Sequence, residues 1–345
     1  MRRGRRRRVV IGGLVLLVVL VVGLFALDRV LFGGPSGPPG ATVVVKIPEG
    51  ASVEHIGDIL DSAGVVGNGR RWALDVRLHG DGDDLRAGTY TLRQNERYGI
   101  ILSTLRAGPA VLPTVRLTIP EGHAVRDIAR DDAPRAGISP AAYRRAARRA
   151  HPPPGYRATG KERLTIEGFL FPATYTLTKP VSATRLVQQQ LTAFQHAEAK
   201  VDFRPAAKKN LTRYDVLIIA SMIEREAAFP ADRAKIAAVI YNRLHAGMPL
   251  GIDATIQYRV GSWRVLKARD LRVTGGYNTR THRGLPPTPI GNPGLASIKA
   301  AANPKRGVDY LFYVRKPGDS GEHAFSSTDA QFQRDVAKYQ ASREP

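Results

Sequence analysis

Apolar residues cluster along this chain in three ways, and each predicts a different kind of element. The longest unbroken run, Val9 to Leu27, holds nineteen residues without a charged or strongly polar side chain. At about 1.5 Å of rise per residue it nearly spans a hydrocarbon core of roughly 30 Å. It exceeds the roughly 7–15 apolar residues of a cleavable signal, and no clear A-x-A site follows, so it reads as an uncleaved signal-anchor. A second run, Val216 to Ile223, leads straight into Glu224-Arg225-Glu226 and stops at Phe229-Pro230. A helix that apolar has no exposed side, which predicts a buried core helix. Thr212, with Asp215 three residues on, is its N-cap candidate.

Elsewhere the apolar positions alternate or recur at helical spacing. Thr42 to Ile47 alternates like a strand, then passes through Pro48-Glu49-Gly50 into an amphipathic segment with Val53, Ile56, Ile59 and Leu60. The same pattern returns: Val115 to Ile119, Pro120-Glu121-Gly122, then Val125 and Ile128. The pairs Ile47/Ile119, Val53/Val125 and Ile56/Ile128 each lie 72 residues apart, which marks a repeated strand–turn–helix unit. Residues 86–92 alternate like a short strand, and Ile100 to Leu105 reads as a helix. Residues 130–154 are charged, alanine-rich and then proline-rich, which predicts an exposed helix or excursion. Further helices are expected over 183–199, 232–244, with Gly247 closing the last of these, 295–302 and 328–341. Strands are expected over 310–314 and 323–326. The loops at 275–279 and 284–294 are dense in Gly and Pro, so they hold a fixed shape on which side chains can be aimed.

Composition then narrows the setting. With 43% hydrophobic residues over 345 positions the chain can bury a core in two or three domains. No cysteine is present, so disulfides and thiolate metal sites are excluded. The net charge is +22, and setting aside the six arginines of residues 2–8 leaves +16. That excess favours an anionic partner. The arginine cluster precedes the apolar run and Asp28 follows it, so the positive-inside rule puts residues 1–8 in the cytoplasm and the rest outside. Nucleic acid and ATP are then excluded as partners, and the membrane surface or the wall takes their place. Residues 155–161 match most of a phosphate-binding loop, but Glu162 stands where a Ser or Thr would hold Mg²⁺, and no apolar strand precedes it.

The candidate chemistry follows by elimination. There is no G-x-S-x-G elbow, no S-x-x-K pair and no cysteine nucleophile. The eight histidines show no ligand spacing, so neither a metal nor a cofactor is expected. Carboxylates remain. Glu224 and Glu226 end an apolar helix, where an acid is either the solvated end of the helix or a group whose proton is held by burial for glycosidic cleavage. Residues 166–175 are dense in aromatics around Glu167, which suits either a core or a sugar-binding wall. Asp253, Gln257, Tyr277 and Asn278 are further candidates for a cleft, each equally readable as a turn or core residue.

At this point the residues resemble a known family. The segments EGFLFPATY at 167–175, ASMIEREA at 220–227, IYNRLHAGMPLGIDATIQY at 240–258, YNTRTHRGLPPTPIGNPG at 277–294 and AFSST at 324–328 together resemble the MltG/YceG family of endolytic murein transglycosylases. The resemblance implies an α+β fold: a single N-terminal transmembrane helix, small LysM-like βαβ modules, and a mixed catalytic domain with a buried catalytic helix. It divides the chain into a basic tail (1–8), an anchor (9–27), a linker (28–40), a LysM-like module (41–110), a second repeat unit and connector (111–165) and a catalytic domain (166–345). It implies cleavage of the MurNAc–GlcNAc β-1,4 bond of nascent peptidoglycan strands with 1,6-anhydro ring closure, at the outer face of a bacterial cytoplasmic membrane and beside peptidoglycan synthases. A hydrolytic muramidase helped by Asp253 and a non-catalytic wall-binding scaffold are the alternatives. The family's acid is the second glutamate of an E-K-E-T motif, which falls on Glu226, with Glu224 supporting or structural. Glu167, Asp253, Gln257, Tyr277 and Asn278 become substrate-binding candidates. Ala227 replaces the motif's Thr, and Ala173 replaces the Asp of an FPDT turn.

Overall fold

A computed structural model describes residues 19–23, 38–79, 82, 84–110, 112–158 and 163–342. Within the expected anchor, residues 19–23 are helical and exposed; the rest of it, the basic tail and most of the linker lie outside the described residues. Among the described residues no helix is long and apolar enough to cross a membrane. The chain forms two compact units that meet in sequence at Leu112 and Pro113.

The first unit is built from β1 (Thr42–Ile47), α1 (Val53–Ser62), α2 (Gly69–Leu78), β2 (Gly88–Arg93) and α3 (Tyr98–Ala107). The strands pair antiparallel with Val45 opposite Tyr90, so the unit is a βααβ hairpin rather than the βαβ unit expected from the repeat. The overlooked element is α2, which Asn68 starts by accepting from the Arg71 amide. Four of its ten residues are charged, yet Trp72, Ala73 and Val76 form one buried face. Helices α1 and α2 cross at Gly57 and Gly69. A Cβ on Gly57 would lie 2.5 Å from the Gly69 carbonyl oxygen, and one on Gly69 would lie 2.3 Å from that of Gly57. Leu60, Trp72, Ile101 and Leu105 are fully buried at the centre.

The second unit opens with the same device. Strand β3 (Thr114–Thr118) is followed by an irregular helical stretch at 125–136, by α4 (Pro140–Arg149), and by β4 (Thr174–Thr178). The strands are antiparallel with Leu117 opposite Tyr175, the counterpart of Val45 opposite Tyr90. Both strands β2 and β4 carry Thr-Tyr-Thr-Leu, and in each the tyrosine hydroxyl donates to the carbonyl four residues before it, Arg86 and Phe171. The repeat therefore continues through residue 178, and a boundary at 165 cuts it. The strand offset is 72 residues and the tyrosine offset 85, so the longer connection in the second copy hid its end. Nor is 130–154 wholly exposed: Tyr143 of α4 is fully buried and donates to Gln190 at 2.7 Å.

Around this copy stand α5 (Ala183–Glu198), α6 (Arg213–Glu226), α7 (Arg233–His245), α8 (Asp253–Val260), α9 (Leu295–Ala302), the antiparallel hairpin β5 (Phe312–Arg315) and β6 (His323–Ser326), and α10 (Asp329–Ala341). Helix α6 is the axis of the unit. Its start is a full capping box: the Asp215 amide donates to Thr212 Oγ1 at 3.1 Å, and the Thr212 amide to Asp215 Oδ2 at 2.7 Å. Every residue from Tyr214 to Ile223 is buried, against α7, α8 and α9. Burying each large aliphatic side chain of this run contributes roughly 1.5–3 kcal/mol. Its one hydroxyl beyond the first turn, Ser221, donates to the Ile218 carbonyl and accepts from the Ile290 amide at 3.0 Å, which docks the proline-rich loop against the helix.

Candidate active site

Helix α6 ends where its buried run meets acids. The Ala227 amide closes the last turn on the Ile223 carbonyl, and Pro230 prevents continuation. The side chains of Glu224 and Glu226 leave the helix in different directions and meet different surroundings.

Glu224 is engaged by structure. Its carboxylate accepts from the Gly294 amide at 2.8 Å, at the start of α9, and lies 3.6 Å from the Arg233 guanidinium at the start of α7. Its side chain is 6% exposed. The carboxylate thus ties the end of α6 to the beginnings of two neighbouring helices, the ends at which a negative charge is favoured. Glu121, from the second Pro-Glu-Gly turn, is close by, and burial and the Glu224 charge raise its carboxyl above the usual range. A Cβ on Gly294 would lie 1.9 Å from Glu121 Oε1, so a larger residue there would displace the Glu121 carboxyl.

Glu226 is half-buried and has no cation in direct contact among the described residues. Burial raises its carboxyl above the ordinary value as the largest effect. The Tyr313 hydroxyl bond opposes this, the Asp253 charge adds to it, and Arg315 and the Ala254 amide oppose it. Tyr313 donates to Glu226 Oε2 at 3.1 Å. A carboxyl whose proton is held more tightly by burial, yet which is still partly open to solvent, can protonate a leaving oxygen.

The remaining sequence candidates fall into two groups. Asp253 begins α8, is exposed, and pairs with Arg280 at 2.7 Å; its charge is felt at Glu226. Gln257, one turn on, uses its amide on the Arg264 carbonyl at 2.8 Å, bracing the following loop. Glu167, Tyr277 and Asn278 are turned toward the protein. Glu167 accepts from the Val125 amide at 3.0 Å, the Tyr258 hydroxyl at 3.0 Å and the Asn292 amide at 3.3 Å. Burial pushes its carboxyl up to about 7. Asn278 is 1% exposed, with its amide on the Leu271 and Val273 carbonyls, so it corrects the expectation of a residue facing the cleft: it is the brace of its own loop. Tyr277 donates to or accepts from Thr288 at 2.7 Å and packs its ring against Tyr258.

Three residues that contact these groups are not singled out by the sequence. Tyr313 lies within the expected strand at 310–314 and Arg233 within the expected helix at 232–244. Asn292, fully buried, accepts from the Leu170 amide and donates to the His123 carbonyl, joining the loop at 284–294 to the second repeat. The Asn-Pro-Gly sequence was its visible signal. Among the described residues no group of His, Asp and Glu is arranged to hold a metal ion. Two hollows among the described residues lie away from Glu226. One runs between α4 and α5, beside Arg145, Arg149 and Gln188, and the other beside Lys208, Lys305 and Tyr241.

Comparisons with known proteins agree in one direction. The model of the YceG-like family matches residues 45–338. A Bacillus subtilis protein named endolytic murein transglycosylase is 29% identical over 338 residues, covering 94% of this chain and 92% of that protein. A Streptococcus pneumoniae protein of the same name is 29% identical over 328 residues, and the match spans 87% of this chain but 59% of that longer protein. A crystal structure of a yceG-like protein from Listeria monocytogenes superposes with a TM-score of 0.55 at 30% identity, covering 86% of this chain and 99% of that one.

Proposed function

We propose that this chain, which belongs to the YceG-like family, is a lytic transglycosylase of peptidoglycan whose acid is Glu226. The observation that carries the reading is the contrast at the end of α6: the Glu224 carboxylate is held by Gly294 and Arg233, while Glu226 keeps a burial-raised carboxyl with a single side-chain donor. The names of the relatives support the substrate class.

The bond cleaved is the β-1,4 link from MurNAc to GlcNAc within a strand. Glu226, protonated, gives its proton to the bridging oxygen as the C1–O bond breaks and positive charge develops at the MurNAc anomeric centre. The carboxylate so formed takes the proton of the MurNAc C6 hydroxyl while that oxygen closes on C1. The 1,6-anhydro product forms, Glu226 is protonated again, and no water is consumed. The substrate supplies its own nucleophile, so a second catalytic carboxylate is not required. Asp253, already paired with Arg280, acts in this reading through its charge, which favours the protonated acid. In this reading Gln257, Tyr277, Glu167 and Asn278 act by holding the loops and helices around the site rather than by touching the strand. The first unit serves as a LysM-like glycan-binding module. The apolar run 9–27 anchors the protein in the cytoplasmic membrane with its arginines inside, near the synthases that extrude the strands.

The test is mass spectrometry of uncrosslinked glycan strands digested by the purified protein. Anhydro-MurNAc ends are expected. Reducing MurNAc ends would make it a muramidase, and an undigested substrate that is still bound would make it a scaffold. Protease added to intact spheroplasts should remove residues after 27 and spare the tail; a protected C-terminal domain would refute the orientation.

A further inference from the structure

We propose that Tyr313 is a positioning residue for the Glu226 carboxyl, and that the buried Asp232–His323 pair is the brace that delivers it. The inference rests on the reading of Glu226 as the acid. Tyr313 lies on β5 of the terminal hairpin, 87 residues from the glutamate it contacts at 3.1 Å. A two-stranded hairpin has little rigidity of its own, so something must fix it against the end of α6.

The fixing point is Asp232, in the tight turn that leads into α7, and it is 1% exposed. Its Oδ2 accepts from the His323 backbone amide at 2.7 Å and lies 3.2 Å from His323 Nδ1; its Oδ1 accepts from Lys235 at 3.1 Å. Burial lowers the imidazole below its ordinary value, with Asp232 opposing. His323 then meets the Tyr313 ring edge-on, with centroids 5.4 Å apart and planes at 90°. Lys235 also stands over the Phe325 ring at 5.1 Å, and Phe325 is the cross-strand partner of Tyr313. The contacts close a ring: Glu226, the short stretch of chain to Asp232, His323, Tyr313, and back to Glu226. The segment that ends the catalytic helix thus grips the hairpin that returns a hydroxyl to it.

The chemistry of that hydroxyl gives the two carboxyl oxygens different tasks. Burial and the neighbouring Glu226 carboxyl hold the phenol well above its ordinary range, so it stays protonated and donates. In a neutral carboxylic acid the oxygen that accepts such a bond is the carbonyl one, and the proton resides on the other. Tyr313 on Oε2 therefore assigns the transferable proton to Oε1. After the proton leaves, the same bond steadies the charge on Oε2 while Oε1 takes the C6 hydroxyl proton. Asp253 of α8, Arg315 of β5 and Arg225 of α6 also act on Glu226, and Arg243 of α7 and Asp253 on Tyr313; none of these supplies a hydroxyl.

Tyr313→Phe in the full-length protein tests this, since the ring remains to pack against His323. The expected result has two parts. The kcat on glycan strands falls about ten-fold with KM unchanged, less than the roughly 10²–10⁴-fold of losing the general acid itself, because Glu226 remains. The alkaline limb of the pH profile moves to higher pH, because the carboxylate has lost its donor. Asp232→Asn, which removes the charge but keeps an acceptor for the His323 amide, should lower kcat and move the limb the same way by a smaller amount. A purely structural role would lower the thermal midpoint and the rate with the limb unmoved, and that outcome overturns the proposal, as does a Phe variant with wild-type rate and profile. Glu226→Gln is the control: if it still cuts, the assignment of the acid fails, whereas a dead Gln variant beside a normal Phe variant sinks the positioning role alone.

Discussion

Exchanging each glutamate at the end of α6 for glutamine should separate chemistry from architecture, because the two changes act on opposite properties. Glu226→Gln keeps the shape, and Tyr313 can still donate to the amide oxygen. Burial raises the Glu226 carboxyl, so its ionised form is disfavoured in the folded protein above the pH at which it would titrate unfolded. Glutamine removes that penalty, and the melting temperature at neutral pH should hold or rise. Strand cleavage should fall by about 10²–10⁴-fold, the range typical of a general acid. Glu224→Gln gives the reverse. It weakens a charge-assisted bond to the Gly294 amide at 2.8 Å and leaves Arg233, 17% exposed, without its anion. A lost bond to a charged group costs about 1.5–3 kcal/mol. For a unit of this size, roughly 2–4 °C per kcal/mol gives a fall of about 3–12 °C in the melting temperature. The assay pairs calorimetry with counting of anhydro ends in a fixed digestion time, below the transition of every variant. A Glu224→Gln protein that melts normally yet cannot cut would refute the assignment, as would a Glu226→Gln protein that cuts at the wild-type rate.

Other consequences follow from groups outside the acid. Glu167 is buried with its carboxyl pushed up to about 7, so the fold favours its protonated form; that contribution is complete below about pH 4.5 and is lost as pH rises through 7. It amounts to at most about 3 kcal/mol at 1.36 kcal/mol per unit. Raising the pH from 5 to 8 should therefore lower the melting temperature of the second unit, and Glu167→Gln should flatten that slope, leaving a smaller one of the same sign from the raised groups Glu226, Glu121 and His123, which the lowered His323 opposes. An unchanged slope in the Gln variant would mean that Glu167 is ionised throughout. Gly57→Ala would force a Cβ to 2.5 Å from the Gly69 carbonyl oxygen, parting α1 from α2. A loss of roughly 1–3 kcal/mol is expected, visible as a lower denaturant midpoint of the first unit followed through Trp72, and a stable Ala variant would show that the helices slide apart freely. Asn292→Ala leaves the Leu170 amide without its partner inside the protein, at about 1–3 kcal/mol, while the His123 carbonyl keeps the backbone amide of residue 292 at 3.0 Å; hydrogen exchange should report a faster Leu170 amide, and full protection there would refute the role.

How far these features could be read from the chain depends on the range of the interaction that makes them. Helix α6 was legible because its causes are local: an apolar run, a Thr-x-x-Asp box and a proline stop all lie within one short segment. Helix α9 and the hairpin strands follow from the same kind of signal. The second repeat was half legible. Its strand and turn keep a fixed offset from the first copy, but its closing strand is displaced by a longer connection, and only the Thr-Tyr-Thr-Leu shared by 89–92 and 174–177 marks the return. Helix α2 escaped because its buried face is narrow on an otherwise charged helix, Trp72, Ala73 and Val76 set against arginines. Asn278 and Glu167 escaped for another reason. A polar side chain in a loop shows its residue type in the sequence, whereas the carbonyls or amides that absorb it belong to backbone placed by the fold.

The two glutamates show the same limit from the other side. On a helix, residues two apart point about 200° apart at roughly 100° per residue, so Glu224 and Glu226 could never have shared one surface. The spacing alone therefore says that one of them faces inward when the helix end is packed on one side. It does not say which. That choice is made by partners far along the chain, 70 residues from Glu224 and 87 from Glu226. Gly294 presents an amide to Glu224 only because α9 begins there, and Tyr313 presents a hydroxyl to Glu226 only because Asp232 holds its hairpin.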